Sequence, residues 1–120
     1  MLELPLSDVS ALREQFLRAS PLVRLGGLAD HLARIRTSST LVANREVTRR
    51  LLHESQRLAE WTVPEVPLDK RAALRELRHQ LERWERLWDM IWEDPLRKGS
   101  VVRELGRWSE RIHAMSGRGA

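Results

Sequence analysis

The chain has no cysteine and no tyrosine. Without cysteine it forms no disulfide, no thiolate metal site and no thiol nucleophile. No apolar run approaches the roughly 18 residues of a membrane-spanning helix. The opening residues, Met1-Leu-Glu-Leu-Pro-Leu-Ser-Asp8, carry neither the basic nor the apolar block of a signal peptide, so a cytoplasmic setting is expected. No alternating β-branched run bounded by turns appears, which argues against strands. There is no phosphate-binding loop either. Gly26-Gly27 lies inside a helical pattern, without the strand and lysine that such a loop needs; two residues lacking side chains there would let a neighbouring helix or tryptophan come close.

Charge is present in both signs. The 120 residues include 21 basic and 17 acidic ones, for a net charge of +4, yet the isoelectric point is about 10.8. Lys70 and Lys98 are the only lysines, so with tyrosine and cysteine missing little titrates between neutrality and about pH 10. The high isoelectric point therefore reports missing titrating groups more than a strongly basic surface. The arginine bias suits phosphate or carboxylate recognition, and a G- and C-rich coding sequence produces the same bias.

Length indicates one domain, spanning 1–120. Ser7-Asp8 opens a short amphipathic helix, 7–19, carrying Leu12, Phe16 and Leu17. Ser20-Pro21 reads as an N-cap followed by proline at the first helical position, opening 21–37 with Leu22, Leu25, Leu28, Leu32 and Ile35. The hydroxyl run Thr37-Ser-Ser-Thr40 suits the cap of the next helix, 41–62, whose apolar face is Val47, Leu51, Leu58 and Trp61 with Ser55 alongside. The prolines of Val63-Pro-Glu-Val-Pro67 end it. Asp69 can cap 69–93, where Leu74, Leu77, Leu81, Trp84, Trp88 and Ile91 form a heptad seam. Asp94-Pro95 repeats the cap-then-proline signal for 95–116, which carries Val101, Leu105, Trp108, Ile112 and Met115. The tail, 117–120, reads as disordered. The expected fold is all-α: an up-down-up-down four-helix bundle with a short additional N-terminal helix.

Two Glu-x-x-His motifs, Glu76/His79 and Glu110/His113, have the spacing of carboxylate-bridged di-iron bundles, and His31 and His53 add a histidine to the other two long helices. Phase argues against a metal. With Leu74 and Leu105 at core positions, both motifs turn towards solvent, so no catalytic, cofactor or metal ligand is assigned. A faint helix-turn-helix pattern at Leu28–Leu32 and Ser38–Thr40 lacks the turn glycine.

Two surfaces stand out. Leu87, Trp88, Trp92 and Leu52 widen the apolar stripes beyond a narrow seam, and form either ordinary core or an exposed patch that docks an unknown protein or a second copy of the chain. Arg45, Arg49 and Arg57 on one helix, and Arg71, Arg75 and Arg83 on the next, repeat at helical spacing and are candidates for an anion or nucleic-acid surface. Glutamates on the same helices lie at ion-pairing distance. The leading expectation is a non-catalytic interaction or assembly module, with arginine-mediated nucleic-acid binding as the alternative.

Leu25-Gly-Gly-Leu-Ala-Asp-His-Leu-Ala-Arg-Ile35, Glu54-Ser-Gln-Arg-Leu-Ala-Glu-Trp-Thr62, Trp84, Trp88, Ile91-Trp92 and Trp108-Ser109 together resemble a small all-helical family of cyanobacteria. The likeness runs from Pro21 onward and rests on helical and tryptophan positions. It implies a cyanobacterial, cytoplasmic protein of a family with no established activity, and it carries over no site residues.

Overall fold

The computed structural model describes residues 5–116, with side chains from Ser10 onward. The expected disorder of 117–120 lies outside the described residues. Those described form six α-helices: α1 (Pro5–Arg18), α2 (Pro21–Ser38), α3 (Arg45–Thr62), α4 (Leu68–Arg86), α5 (Trp88–Glu93) and α6 (Pro95–Met115). Short 3-10 turns at Val42–Asn44 and Val63–Glu65 precede and follow α3. There is no strand among the described residues, and no helix is long and apolar enough to cross a membrane.

Local chemistry sets several of the boundaries. Ser20 Oγ accepts from the amide of Val23 at 3.4 Å, and Asp94 Oδ1 accepts from Leu96 at 3.0 Å and Arg97 at 3.4 Å. Each satisfies orphan donors of a proline-started helix. The hydroxyls at 37–40 act at the other end from the one expected. Ser39 Oγ donates to the carbonyl of Ile35 and Thr40 Oγ1 to that of Thr37, so they close α2 instead of opening α3. The unpaired carbonyls of the last turn of α2 are their nearest acceptors. Asp69 likewise lies in the first turn of α4, behind Pro67 at the cap.

Side-chain bonds show α2 antiparallel to both α3 and α6. Ser38 meets Thr48 and His31 meets Glu54 across the first pair; across the second, Ser109 donates to the carbonyl of Ala29 and Gly106 lies against Arg36. α4 lies on the far side of α3, and touches α6 through Gln80 Oε1, which accepts the Trp108 indole N–H at 2.8 Å. Leu28, Leu32 and Ile35 of α2, Leu74, Leu77 and Leu81 of α4, and Leu105 and Ile112 of α6 are fully buried.

α3 corrects the expected phase. Its inward stripe is Thr48, Leu52, Ser55, Leu58, Ala59 and Thr62, while Val47 is 55% exposed. The stripe is rotated by about one residue because hydroxyls fill it. Thr48 and Thr62 each donate at 2.7 Å to the carbonyl four residues back, of Asn44 and Leu58. A threonine satisfied in this way is inserted into a core as a compact, nearly apolar group. Trp61 turns outward to α1, where its ring lies 6.1 Å from that of Phe16. Arg24 secures the same helix, donating from Nε to Ala19 at 3.0 Å and from Nη2 to Leu17 at 2.8 Å, and so covers carbonyls left open at the end of α1.

The segment expected as one helix over 69–93 is two. Leu87 sits at φ −98°, ψ 13°, in the sparsely populated bridge region, and separates α4 from α5. Hydrogen bonds from Leu87 to Arg83 and from Ile91 to Leu87 carry the phase across the break, so Trp88 and Ile91 continue the seam of α4 and Trp92, one turn after Trp88, is buried beside them.

Candidate interaction surface

Of the two readings open for Leu87, Trp88, Trp92 and Leu52, the structure takes ordinary core over an exposed patch. Leu52 and Trp88 are buried, Trp92 is 9% exposed, and Leu87 packs half-buried against the core. Trp88 continues the heptad seam of α4 and Trp92 lies one turn beyond it on the same face, while the rotated phase of α3 brings in Leu52. Trp88 and Trp92 stack at 5.4 Å with their planes tilted by 52°, and Lys98 Nζ lies 3.5 Å from the centre of the Trp92 ring. That ammonium covers what would otherwise be an open aromatic face.

Exposed apolar side chains lie just outside this cluster. Leu41 and Val42 in the connection after α2, Val47 in the first turns of α3, Met90 of α5 and Leu96 at the start of α6 are all exposed, from Met90 at 46% to Leu96 at 85%. They belong to one end of the molecule. Val42 shares a shallow cleft with Trp92, Pro95 and Lys98, and Arg97 of α6 reaches the sulfur of Met90 at 3.9 Å. Val47, expected on the apolar face of α3, is turned out by the rotated phase; the other four continue no helical seam. Their only signal in the sequence is large apolar side chains, Leu41-Val42 and Leu96, where a loop or cap would ordinarily be polar.

The arginine stripes are largely consumed internally. Arg45 donates to Asp89 at 2.7 Å and to Glu93 at 2.8 Å; Arg49 also pairs with Asp89. Arg57 pairs with Glu60, and Arg71 donates to the carbonyls of Val66 and Pro64. Arg75 and Arg83, both exposed on α4, make no ion pair among the described residues. The expected six-residue anion surface is thus reduced to those two. The hydrogen bond from Arg45, with Arg49 beside it, holds the Asp89 carboxyl below its ordinary range, and the bond to Asp89 raises Arg45 in turn.

Histidines pair with carboxylates across helices. His31 Nε2 lies 3.3 Å from Glu54 Oε1, and His53 Nδ1 lies 3.3 Å from Glu85 Oε1. The hydrogen bond to His31, aided by Arg50 and Arg34, keeps the Glu54 carboxyl below its usual range against the opposing effect of burial. Glu76, His79 and Glu110 are exposed and His113 is half-buried on the two outer helices, and no cluster of three or more metal-ligating side chains occurs among the described residues. α3, which would have to be the recognition helix of a helix-turn-helix, is instead enclosed between α2 and α4.

Compared with known proteins, the chain matches no family model, no curated protein and no solved structure at a significant level.

Proposed function

We propose that this chain is a non-catalytic interaction or assembly module of the cytoplasm, built as an up-down-up-down four-helix bundle with α1 packed outside it. Its partner surface is the apolar end carrying Leu41, Val42, Val47, Met90 and Leu96, and its first partner is a second copy of the chain. The observation that carries the reading is the placement of five accessible apolar side chains at one end, since clustered apolar exposure marks protein interfaces. Leu52, Leu87, Trp88 and Trp92 brace that end from within. The likeness to a cyanobacterial helical family of no established activity is part of the same proposal.

Sedimentation and light scattering over a range of concentration and salt test it. The expected result is a dimer insensitive to salt that dissociates in the double variant Val42→Glu/Leu96→Glu. A monomer at every concentration, or a dimer unchanged by both substitutions, rejects this surface. Arginine-mediated nucleic-acid binding is a second reading, favoured by the unpaired Arg75 and Arg83; it requires affinity for duplex DNA or RNA that falls steeply with added salt and drops in Arg75→Gln/Arg83→Gln.

A further inference from the structure

Without cysteine, the chain has its thioethers as its softest oxidisable groups. Of its three methionines, Met1 lies outside the described residues. Met115, at the far end of α6, is half-buried against the core. Met90 of α5 is 46% exposed and belongs to the apolar end with Leu41, Val42, Val47 and Leu96.

A second observation singles Met90 out. Arg97 Nη1 stands 3.9 Å from its Sδ, while Nε of the same guanidinium pairs at 3.3 Å with Asp94, the cap of α6. A thioether sulfur is a weak acceptor. A sulfoxide oxygen at that place is strongly polarised, and receives a charge-assisted bond from the donor already beside it.

Oxidation turns a flexible apolar side chain into a polar one and disrupts contacts made through methionine. In an isologous pair that change is present twice. We propose that Met90 is a redox modification site: hydrogen peroxide converts its thioether into a sulfoxide whose oxygen accepts from Arg97, and the sulfoxide blocks pairing of the apolar end. The blocking rests on the reading of that end as an interface; the modification does not.

The step balances without a cofactor. A sulfur lone pair attacks one peroxide oxygen, and the O–O bond breaks as the S–O bond forms. The departing hydroxide takes the remaining peroxide proton and leaves as water. Sulfur loses two electrons and the peroxide gains them. The reaction takes place in the free chain, since pairing covers Met90. A methionine sulfoxide reductase with a dithiol reductant reverses it.

Peptide mass mapping after timed peroxide exposure of dilute, unpaired chain tests the modification, and sedimentation of the oxidised chain tests its consequence. Met90 is expected to gain one oxygen at least about fivefold faster than Met115, which the core shields. Arg97→Ala is expected to narrow that ratio at least about twofold, because the developing oxygen loses its charged donor. The dissociation constant of the pair is expected to rise at least about tenfold on oxidation and to return after reductase treatment. Met90→Leu should pair normally and be indifferent to peroxide. Equal oxidation of Met90 and Met115, an unchanged ratio in Arg97→Ala, an oxidised chain that still pairs, or a Met90→Leu pair that dissociates in peroxide would overturn the proposal. A chain that is monomeric before any peroxide rejects the surface and the blocking with it, whereas the mapping then decides the modification alone.

Discussion

Trp88 donates its indole N–H to the backbone carbonyl of Arg45 at 3.1 Å. The guanidinium of the same Arg45 grips Asp89 and Glu93, on either side of Met90, Ile91 and Trp92. α5 is therefore fastened to the start of α3 at both its buried and its exposed faces. The carbonyl of Arg45 belongs to the first turn of α3, so Trp88 supplies it with a donor from another helix. The six-residue α5, too short to be stable alone, owes its place to these contacts and to the burial of Trp88.

Replacing that indole separates the two contributions. Trp88→Phe keeps most of the apolar bulk and loses the donor, and is expected to cost about 1–2 kcal/mol. Trp88→Ala opens a cavity as well and is expected to cost about 3–5 kcal/mol. Urea denaturation followed by circular dichroism measures both. Equal losses in the two variants would show that packing contributes nothing beyond the hydrogen bond.

Ser55 faces the core of α3 with its Oγ buried and no hydrogen-bond partner among the described residues. Ser55→Ala removes an unsatisfied hydroxyl and adds the best helix former. Stability is expected to rise by about 1 kcal/mol, read as a higher urea midpoint with an unchanged slope. A fall in the midpoint would mean that the hydroxyl has a partner after all, such as an ordered water.

Glu54 links stability to acid. Its carboxyl lies below the ordinary value of 4.5 in the folded chain, so the folded state binds the proton less readily than the unfolded one. The resulting stability is complete above the unfolded value and is lost as pH falls through the lower, folded one. Glu54→Gln is therefore expected to reduce the loss of stability between about pH 5.5 and pH 3. Asp89 acts with the same sign, but its carboxylate is exposed and its share should fade in about 1 M salt. Denaturation midpoints across that range, at low and high salt, check both; an identical acid limb in Glu54→Gln rejects the His31–Glu54 link.

Gly106 marks where α6 lies under Arg36 of α2. An added Cβ would stand 3.3 Å from the guanidinium carbon, which is the far end of a flexible side chain. Gly106→Ala should push Arg36 aside cheaply and gain helix propensity, stabilising the chain by up to about 1 kcal/mol. Gly106→Ile, which needs more room, should destabilise it. A loss in the alanine variant would show that the stem of Arg36 must cover α6.

Much of the fold is legible because its signals are local. Ser20-Pro21 and Asp94-Pro95 place the starts of α2 and α6 from chemistry contained within four residues, and the Leu74/Leu77/Leu81 seam names the buried face of α4 without reference to any partner. The phase of α3 was not legible. Thr48 and Thr62 count as polar in any pattern, and they become core only once each has bonded back to its own helix and neighbours have closed over it. Position 87 carries no proline or glycine to announce the break between α4 and α5. The candidate surface follows the same division. Of the two readings open for Leu52, Leu87, Trp88 and Trp92, core and patch, the structure takes the core, whereas the accessible end is made of residues in connections, caps and, for Val47, a face that the rotated phase of α3 turns outward.

The sequence by itself determined that the chain is helical, where most of its helices begin and that Leu74, Leu77 and Leu81 of α4 point inward, since capping and periodicity are short-range effects within one segment. Tertiary structure decided which charges remain unpaired and which apolar side chains meet water. Arg45 finds Asp89 and Glu93 more than forty residues away, and Val42, Met90 and Leu96 share an end only because three separate helix termini converge there. Distances between helices set those pairings, and no spacing within a single helix encodes them.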